Sequence, residues 1–550
     1  MKTASGSAHP RVMVIGLDGA TFDLIQPLMD AGKMPNLVKM ASEGVKAKLR
    51  STILPLSPPA WTSFLTGKNP GSHGIYDFAV RAEGSYEFRP TTSLDQKSRT
   101  MWDVVGENGG HSLMVNVPLT YPPTAFRGSM ISGFPTPTEL GDWTHPPELL
   151  KKLEKQFGSV NIHKPKVLYR KGREREITDE TNQITKLQTR VVKYLMDDSD
   201  WDLAVSVFDA TDVIGHYFWA YLDPKHPKYD PKMAGPVREM VEEVHVELDR
   251  AIGDLSAAVG PDTLKLVMSD HGFGPVYYGV YINNWLLQES YMKFRRDLAV
   301  RARYFAFRHG LNVYNLLRLA RKLRLVKSIE SAYSAKSMAL RFLDLISLSL
   351  KDIDWAQTTV YSAGNMGQLY LNLEGREPNG IVKPEDAKRL VAELVAKIKA
   401  LEDPATGKIM FDAVFAGEDV FRGPQSAVGP DVVFLDQQMI YAAHRMFELG
   451  SSRLVTPHPI YSGNHKMEGI LLGSGPQVKR NGAPDGFIPN LIDLAPSILR
   501  VLGCPLPGGM DGRALDELFV WPETTGRPGW APESARIQQT IRKLSSQRSI

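Results

Sequence analysis

The chain has 550 residues, of which 43% are hydrophobic and 23% are charged, and its formal net charge at pH 7 is +4. These proportions are typical of a folded globular protein and exclude a disordered or fibrous chain. The net charge is too small to predict nucleic-acid binding by itself. The single cysteine, Cys504, excludes an intrachain disulfide and a cysteine-based zinc site, and it favours a reducing compartment.

The N-terminal residues do not have the pattern of a secretory signal, and no run reaches the roughly 18 apolar residues of a membrane-spanning helix. We therefore expect a soluble, cytoplasmic protein. At about 150 residues per domain the length suggests three or four domains, although one large core with insertions fits equally well.

Short apolar and β-branched runs predict buried parallel strands at 12–17, 113–117, 203–208, 263–269, 431–435 and 469–472. Apolar residues at helical spacing predict helices at 234–259, 384–401 and 488–502. Strands that alternate with helices indicate an α/β fold with a mostly parallel sheet.

Two segments interrupt this alternation. Residues 143–200 are polar and rich in lysine, and we expect them to cover an edge of the sheet, whereas residues 285–351 are basic and helical in pattern. We therefore predict a catalytic core in two parts, 10–284 and 352–523, separated by a basic helical insertion or cap at 285–351. Residues 524–550 form a loose tail in this prediction.

Acidic and histidine residues follow several of the predicted strands. Open parallel sheets bind their ligands beyond the carboxyl ends of the strands, so these side chains are expected to converge. They are Asp18 after the first strand, Asp209, Asp212 and His216 after strand 203–208, Asp270 and His271 after strand 263–269, and His465 in the segment 462–465.

Converging carboxylates repel one another strongly unless cations lie between them. Any one of these aspartates, taken alone, is more simply explained as a helix or turn cap after its strand. Taken together with the histidines, they predict a metal cluster, because carboxylate oxygens and imidazole nitrogens suit zinc, manganese or iron.

At this point the sequence resembles the alkaline phosphatase superfamily, and within it the type I phosphodiesterase/nucleotide pyrophosphatase family. The resemblance spans residues 18–465, and the five segments are specific only in combination. They are Gly-Leu-Asp-Gly at 16–19, Pro-Pro-Ala-Trp-Thr-Ser-Phe-Leu-Thr-Gly at 58–67 followed by His-Gly-Ile at 73–75, the pair Asp212 and His216, Ser-Asp-His-Gly at 269–272, and Gly-Asn-His at 463–465.

The resemblance implies a three-layer α/β/α sandwich with helical insertions, hydrolysis of phosphate esters, and two divalent metal ions, usually Zn²⁺ and sometimes Mn²⁺. It implies that Asp18, Asp270, His271 and the nucleophile oxygen hold one ion. It implies that Asp212, His216 and His465 hold the other.

Two hydroxyl groups compete for the role of nucleophile. In similar family members the nucleophile lies nine residues before the threonine of a Thr-Gly pair, here Thr66, and this spacing selects Ser57 over Thr62. Phosphodiesterase members typically have threonine at this position, so serine is a departure. A serine hydroxyl is equally able to attack phosphorus beside a metal ion.

A second departure concerns the substrate. Nucleotide pyrophosphatases of this family carry an asparagine shortly after His-Gly-Ile that contacts a phosphate oxygen, and the aligned residue here is Phe78. Nucleotide substrates are therefore in doubt, and another group must stabilise the charge on the phosphate. Of the nearby polar residues, we expect His73 to be structural, and Asp209 to orient a ligand rather than bind the metal. Asp77 also lies near the nucleophile in sequence.

Other functions remain open at this stage. A sulfatase is disfavoured because its Cys/Ser-x-Pro-x-Arg segment requires arginine where this chain has Trp61. A metal-dependent phosphoglycerate mutase matches the Pro-Pro-Ala-Trp segment less well. A phosphodiesterase is favoured, with a phosphomonoesterase or a phosphonate hydrolase as alternatives.

The basic segment 293–327 suggests a further role. It contains eleven lysine or arginine residues and one acidic residue, Asp297, interleaved with aromatic and aliphatic residues. Such a segment fits peripheral contact with an anionic membrane, a cap that faces the phosphate ester, or simply a solvated helical face. The sequence leaves the oligomeric state open, and we expect no nucleic-acid partner.

Overall fold

The computed structural model describes residues 10–165, 169, 171–312, 314–316, 319, 347–444, 450–480 and 482–521, with only the backbone at residue 139. The strands, in chain order, are β1 (Arg11–Leu17), β2 (Val45–Arg50), β3 (Ala79–Arg81), β4 (Phe88–Pro90), β5 (Ser112–Val117), β6 (Gly128–Ser132), β7 (Thr144–His145), β8 (Leu203–Phe208), β9 (Thr263–Met268), β10 (Gly272–Pro275), β11 (Tyr278–Tyr281), β12 (Val360–Ser362), β13 (Gly367–Leu371), β14 (Ala413–Ala416), β15 (Val432–Leu435), β16 (Tyr441–His444), β17 (Val455–Pro457), β18 (Gly463–Lys466) and β19 (Glu468–Ser474).

The described α-helices, numbered along the chain, are α1 (Phe22–Asp30), α2 (Pro35–Glu43), α3 (Ser57–Thr66), α4 (Pro70–His73), α5 (Met101–Glu107), α6 (Leu149–Phe157), α7 (Glu174–Asp198), α8 (Ala210–Leu222), α9 (Pro231–Ala258), α10 (Ile282–Gln288), α11 (Leu298–Arg308), α12 (Pro384–Lys399), α13 (Gly417–Val420) and α14 (Leu494–Val501). Short 3₁₀ turns lie at Ser93–Asp95, Thr138–Leu140, Leu350–Asp352, Trp355–Gln357, Ser426–Val428 and Leu491–Asp493. None of these described helices is long and apolar enough to cross a membrane.

The central sheet has eight strands in the order β2-β19-β9-β1-β8-β5-β6-β7. All are parallel except β19 and β7, which run against their neighbours. Residues along β1 alternate between two cores, with Met13 and Ile15 on one face and Val12 and Val14 on the other. Helices cover both faces, which makes the fold a three-layer α/β/α sandwich, as predicted.

A smaller four-stranded sheet, in the order β12-β13-β15-β14, has a core of its own. Residues from α10, from α11 and from the segment after Leu348 pack into this second core together. The predicted boundaries at 285 and 352 remain predictions, and the predicted tail 524–550 lies outside the described residues. The basic segment 293–327 is described only in part, mainly as α11.

The main strands lie where the sequence predicts them, but two strand directions were wrong. Strand β15, predicted as a parallel strand at 431–435, is antiparallel to both of its neighbours in the small sheet. Strand β19, predicted at 469–472, lies in the central sheet but is antiparallel. A buried apolar run predicts a strand without specifying its direction or its sheet.

Two other predictions need correction. The segment 143–200 does more than cover an edge, because residues of α7 such as Val191 and Leu195 enter the core on one face of the central sheet. The helix predicted at 488–502 begins only at Leu494. Asn490 and Asp493 form a capping box on the preceding 3₁₀ turn, which delays the start of the helix.

Candidate metal centre and active site

The first ligand group, Asp18, Asp270 and His271, lies beyond the carboxyl ends of two paired strands. Strands β1 and β9 are parallel neighbours, so Asp18 and Asp270 follow them at the same edge of the sheet. One ligand atom from each of the three residues lies within 4.8 Å of the others. His271 Nε2 is 3.3 Å from Asp270 Oδ2 and 3.6 Å from Asp18 Oδ1.

The second ligand group, Asp212, His216 and His465, joins a helix to a distant strand. Asp212 and His216 lie one turn apart on α8, and His465 comes from β18. Asp212 Oδ1 is 3.2 Å from His216 Nε2 and 3.4 Å from His465 Nε2. The rings of His465 and His271 stack with centroids 3.7 Å apart, so the two ligand groups are adjacent.

The three histidines all present Nε2 to the centre. A carbonyl oxygen can only accept a hydrogen bond, so each Nδ1 that contacts one carries a proton, and in the neutral ring Nε2 keeps its lone pair for a metal ion. The Nε2 atoms of His216 and His465 are 3.1 Å apart, a distance at which two lone pairs repel unless a cation lies between them. The Nδ1 contacts are His271 to Gly272 O at 3.0 Å, His216 to Gly463 O at 3.2 Å and His465 to Pro55 O at 2.8 Å.

The three aspartates each have one oxygen that suits a metal ion. Among the described residues, the buried atoms Asp18 Oδ1, Asp212 Oδ1 and Asp270 Oδ2 have no hydrogen-bond partner. Burial, together with repulsion between the carboxylates, holds the pKa values of Asp18 and Asp270 well above their usual range. A buried carboxylate oxygen without a donor is costly, and a bound cation removes that cost. The donor set therefore fits divalent ions such as Zn²⁺ or Mn²⁺.

Ser57 is the first residue of α3 and faces the first ligand group. Its Oγ lies 3.3 Å from His271 Nε2, and its side chain also borders the cavity described below. The N-terminus of a helix stabilises negative charge, which favours attack by this oxygen. The competing hydroxyl of Thr62 donates instead to Pro58 O at 2.7 Å, within the helix. The geometry therefore favours Ser57 over Thr62.

The remaining polar residues singled out in the sequence have structural contacts. His73 is fully buried, its Nε2 lies 2.9 Å from Ser63 Oγ, and burial lowers its pKa to about 3. Asp77 accepts hydrogen bonds from the backbone of Asn365 and from Gln368, which ties two loops together. These contacts agree with the structural role predicted for His73.

Asp209 lies at the N-terminus of α8, one turn before Asp212. One of its carboxylate oxygens is 3.4 Å from Asn116 Nδ2. Burial raises its pKa to about 6, with Lys164 acting in the opposite direction. Asp209 is absent from both ligand groups, and the orienting role predicted for it remains a prediction.

Sequence reasoning missed Lys164. Its ammonium group donates to Asp212 Oδ2 at 2.5 Å and lies over the ring of Phe134 at 4.7 Å. Burial lowers the pKa of Lys164, but the neighbouring aspartates outweigh burial and hold the pKa above its usual value. A lysine within a polar, lysine-rich segment carries no local signal that would single it out.

Trp61 also contacts the site. In the sequence it served only to disfavour a sulfatase, which requires arginine at this position. Its Nε1 donates to Asp18 Oδ2 at 2.9 Å, which leaves Oδ1 of the same carboxylate for a metal ion. The indole fits because residue 16 is glycine, and a Cβ atom there would collide with the ring. Trp61 thus fixes the orientation of a candidate ligand.

A cavity of about 500 Å³ opens beside the two ligand groups. Ser57, Lys164 and the second ligand group all border it. Candidate nucleophile, candidate ligands and one cation therefore face a single space that is large enough for the organic part of a substrate.

Residues 12–435 match the family model described as type I phosphodiesterase/nucleotide pyrophosphatase. The chain belongs to this family. The family lies in the alkaline phosphatase superfamily, and its members are metal-dependent hydrolases. The chain is therefore an enzyme that hydrolyses phosphate esters. Among curated proteins, none matches the chain.

Two solved structures are similar to the chain over most of their length. Phosphonoacetate hydrolase from Sinorhizobium meliloti 1021, in complex with phosphonoacetate, has a TM-score of 0.52 at 14% identity, covering 90% of this chain and 97% of that chain. An inactive variant of murine ectonucleotide pyrophosphatase/phosphodiesterase 5, in complex with AMP, has a TM-score of 0.49 at 12% identity, covering 91% of this chain and 96% of that chain. At this identity the first similarity supports the fold alone.

Proposed function

We propose that the chain is a metal-dependent phosphodiesterase in which Ser57 is the nucleophile. The observation that carries the proposal is the position of Ser57 Oγ, at a helix N-terminus and 3.3 Å from His271 Nε2. The family of the chain supports diester hydrolysis. The proposed ligands are Asp18, Ser57, Asp270 and His271 for one ion and Asp212, His216 and His465 for the other.

The proposed reaction has two steps, each with a defined bond exchange. Ser57 Oγ attacks phosphorus, the bond to the first alcohol breaks, and that alcohol takes up the proton, which leaves a phosphoseryl enzyme. Water then attacks the same phosphorus, releases the monoester and restores the serine hydroxyl. Divalent ions bound to the two ligand groups would neutralise charge on the phosphate oxygens and lower the pKa of the Ser57 hydroxyl.

Lys164 is proposed to stabilise the negative charge on the phosphate oxygen that an asparagine contacts in nucleotide pyrophosphatases of the family. Phe78 occupies the aligned position and offers no hydrogen bond, yet both Phe78 and Lys164 border the cavity beside Ser57. A fixed ammonium group near the reacting phosphate favours the transition state because negative charge is concentrated there.

The nucleophile is tested by comparing two variants on one helix. We expect Ser57→Ala to reduce kcat by at least about 10³-fold while metal content is largely kept. Thr62→Ala, which changes another buried hydroxyl of α3, is the matched control and is expected to have a much smaller effect. Acid-quenched enzyme treated with ³²P-labelled substrate should carry label on the peptide that contains Ser57. Normal turnover by Ser57→Ala with a defect in Thr62→Ala would overturn the assignment.

The reaction type is tested by a substrate panel. We expect the metal-loaded enzyme to prefer bis-p-nitrophenyl phosphate over p-nitrophenyl phosphate and p-nitrophenyl phenylphosphonate. A preference for p-nitrophenyl phosphate would indicate a phosphomonoesterase, and a preference for the phosphonate would indicate a phosphonate hydrolase. The metal is proposed to be Zn²⁺, with Mn²⁺ as the alternative, and metal analysis after loading with each ion distinguishes them.

A peripheral membrane contact is a second proposal, carried by α11. This helix exposes Leu298 and Phe305 at 83% and 64%, and Arg301 and Arg308 lie on the same helix. Apolar side chains beside cations are typical of elements that bind anionic lipid surfaces. We expect the protein to sediment with anionic liposomes but not with neutral ones. Equal binding to both kinds of liposome would refute the proposed contact with an anionic membrane. A cytoplasmic location is likewise proposed, on the single cysteine alone.

A further inference from the structure

The cavity beside Ser57 has walls that are mostly apolar. Its apolar lining comes from α8, from loops, and from strands β16 and β11, which with β17 form a separate three-stranded sheet. This lining includes Phe78, Phe134, Tyr217, Met366, Ala442 and Ile460.

Charge is confined to the end of the cavity where the ligand groups lie. Among the described lining residues, Lys164 and Asp212 are the only ones of the lysine, arginine, aspartate and glutamate types, and they contact each other. His444 and His458 also border the cavity, but burial lowers the pKa of both rings, to about 4 for His444, so they are neutral at pH 7. A second phosphate or a carboxylate therefore finds no cation along this part of the wall.

Some polar lining groups are engaged within the protein, whereas the buried His444 Nε2 has no hydrogen-bond partner among the described residues. Asn365 donates from its backbone to Asp77 Oδ2 at 2.7 Å, and its side-chain amide also donates to that carboxylate. His458 Nδ1 accepts from the backbone of Tyr461 at 3.0 Å. A sugar or nucleobase with many donors and acceptors would lose hydrogen bonds to water here and regain few of them.

The size of the cavity follows from the alternation of side chains along β16. Tyr441 and Ala443 point into the core that β16 shares with the four-stranded sheet, whereas Ala442 and His444 border the cavity. Because Ala442 is small, the cavity keeps a volume of about 500 Å³. A cavity of about 150 Å³ is enough for a benzene ring, so this one has room for a larger group.

We propose that the substrate is a phosphate ester whose organic group is large, uncharged and apolar, and that this group occupies the cavity. The inference rests on the proposed function and adds the substrate class. Apolar contact with Phe134, Met366 and Ala442 stabilises the bound ester, while Lys164 and the ligand groups bind its phosphate. Nucleotides are poor substrates under this assignment, which agrees with phenylalanine at position 78, where nucleotide pyrophosphatases of the family have asparagine.

The test uses diesters that share p-nitrophenol as the leaving group, so that the reacting bond is constant. The second ester group is methyl, hexyl, phenyl, 2-naphthyl or the 5′-position of thymidine. Each buried methylene is expected to raise kcat/KM by up to about fourfold, so the hexyl and aryl esters should exceed the methyl ester by at least about 30-fold. The hexyl and aryl arms also distinguish a chain-like from a ring-like group. Values that agree within about threefold, or a preference for the thymidine ester, would overturn the proposal.

Two variants test whether the cavity causes this selectivity. Ala442→Leu fills the cavity, and Met366→Gln keeps side-chain volume but adds polar atoms. Both are expected to lower the ratio of kcat/KM for the naphthyl ester to that for the methyl ester by at least about tenfold. Ala400→Leu, the same exchange at an exposed site at the end of α12, is the matched control and should leave the ratio unchanged. Unchanged ratios in both cavity variants would contradict the proposal.

A binding measurement separates this inference from the proposed function. Calorimetric titration with methylphosphonate and with phenylphosphonate requires no turnover. If none of the esters is hydrolysed, the proposed phosphodiesterase activity fails, and tighter binding of phenylphosphonate still supports the apolar cavity. If the methyl ester is hydrolysed but the two phosphonates bind equally, the activity stands and the substrate class is wrong.

Discussion

The contact between Trp61 and Asp18 leads to a prediction about metal affinity. Trp61→Phe removes the N–H group that donates to Asp18 Oδ2 at 2.9 Å but keeps an aromatic ring in the core. A hydrogen bond to a charged partner contributes about 1.5–3 kcal/mol. Since 1.4 kcal/mol corresponds to a factor of ten, the affinity for the ion at the first ligand group should fall by about 10- to 100-fold.

The measurement is a competition between the protein and a chromogenic zinc chelator, with thermal unfolding of the metal-free protein followed in parallel. Trp102→Phe is the matched control, because Trp102 is buried in the same hydrophobic core and its ring contacts Phe126 rather than a candidate ligand. We expect both variants to lower thermal stability and only Trp61→Phe to weaken metal binding. Metal affinity of Trp61→Phe within about twofold of the unchanged protein would refute the reasoning.

Three further predictions concern a metal ligand, the ammonium group of Lys164 and an ion pair at the four-stranded sheet. Asp270→Asn should lose metal and activity together, because a neutral amide is a far poorer ligand, and metal analysis beside kcat checks this. Lys164→Met should lower kcat by about 10²-fold while KM changes less, as measured by steady-state kinetics. Arg376→Met breaks a two-point ion pair with Asp431, at 2.6 and 3.0 Å, and should cost about 1.5–3 kcal/mol of unfolding free energy in urea denaturation. An unchanged urea midpoint would contradict the last expectation.

The fold could be predicted from the sequence where burial dominates. Strands β1, β8 and β9 are continuous apolar runs, and helices α9 and α12 show a regular apolar spacing, so their positions agree with the prediction within a few residues. The direction of β19 could not be predicted, because the direction is set by neighbouring strands that are distant in sequence. The late start of α14 depends on a cap formed by Asn490 and Asp493, a local feature that apolar spacing overlooks.

The candidate site was predictable to the extent that its residues follow strands. Asp18 and Asp270 stand directly after buried runs, and the resemblance to a family supplied His465, which no local pattern would have joined to Asp212. Lys164 and Trp61 escaped because their importance lies in single contacts with residues 48 and 43 positions away. The walls of the cavity come from segments that meet only in the folded chain.

The position of β19 has a consequence for how the chain is made on the ribosome. This strand lies between β2 and β9, yet it is among the last strands to be synthesised. Strand β2 precedes it by roughly 420 residues, so at about 5–20 residues per second β2 waits roughly 20–80 s for its neighbour. Until β19 has been synthesised, β9 presents an unpaired strand edge, and such an edge can pair with a strand of another chain. A nascent chain that stops before residue 468 therefore ends with an open sheet.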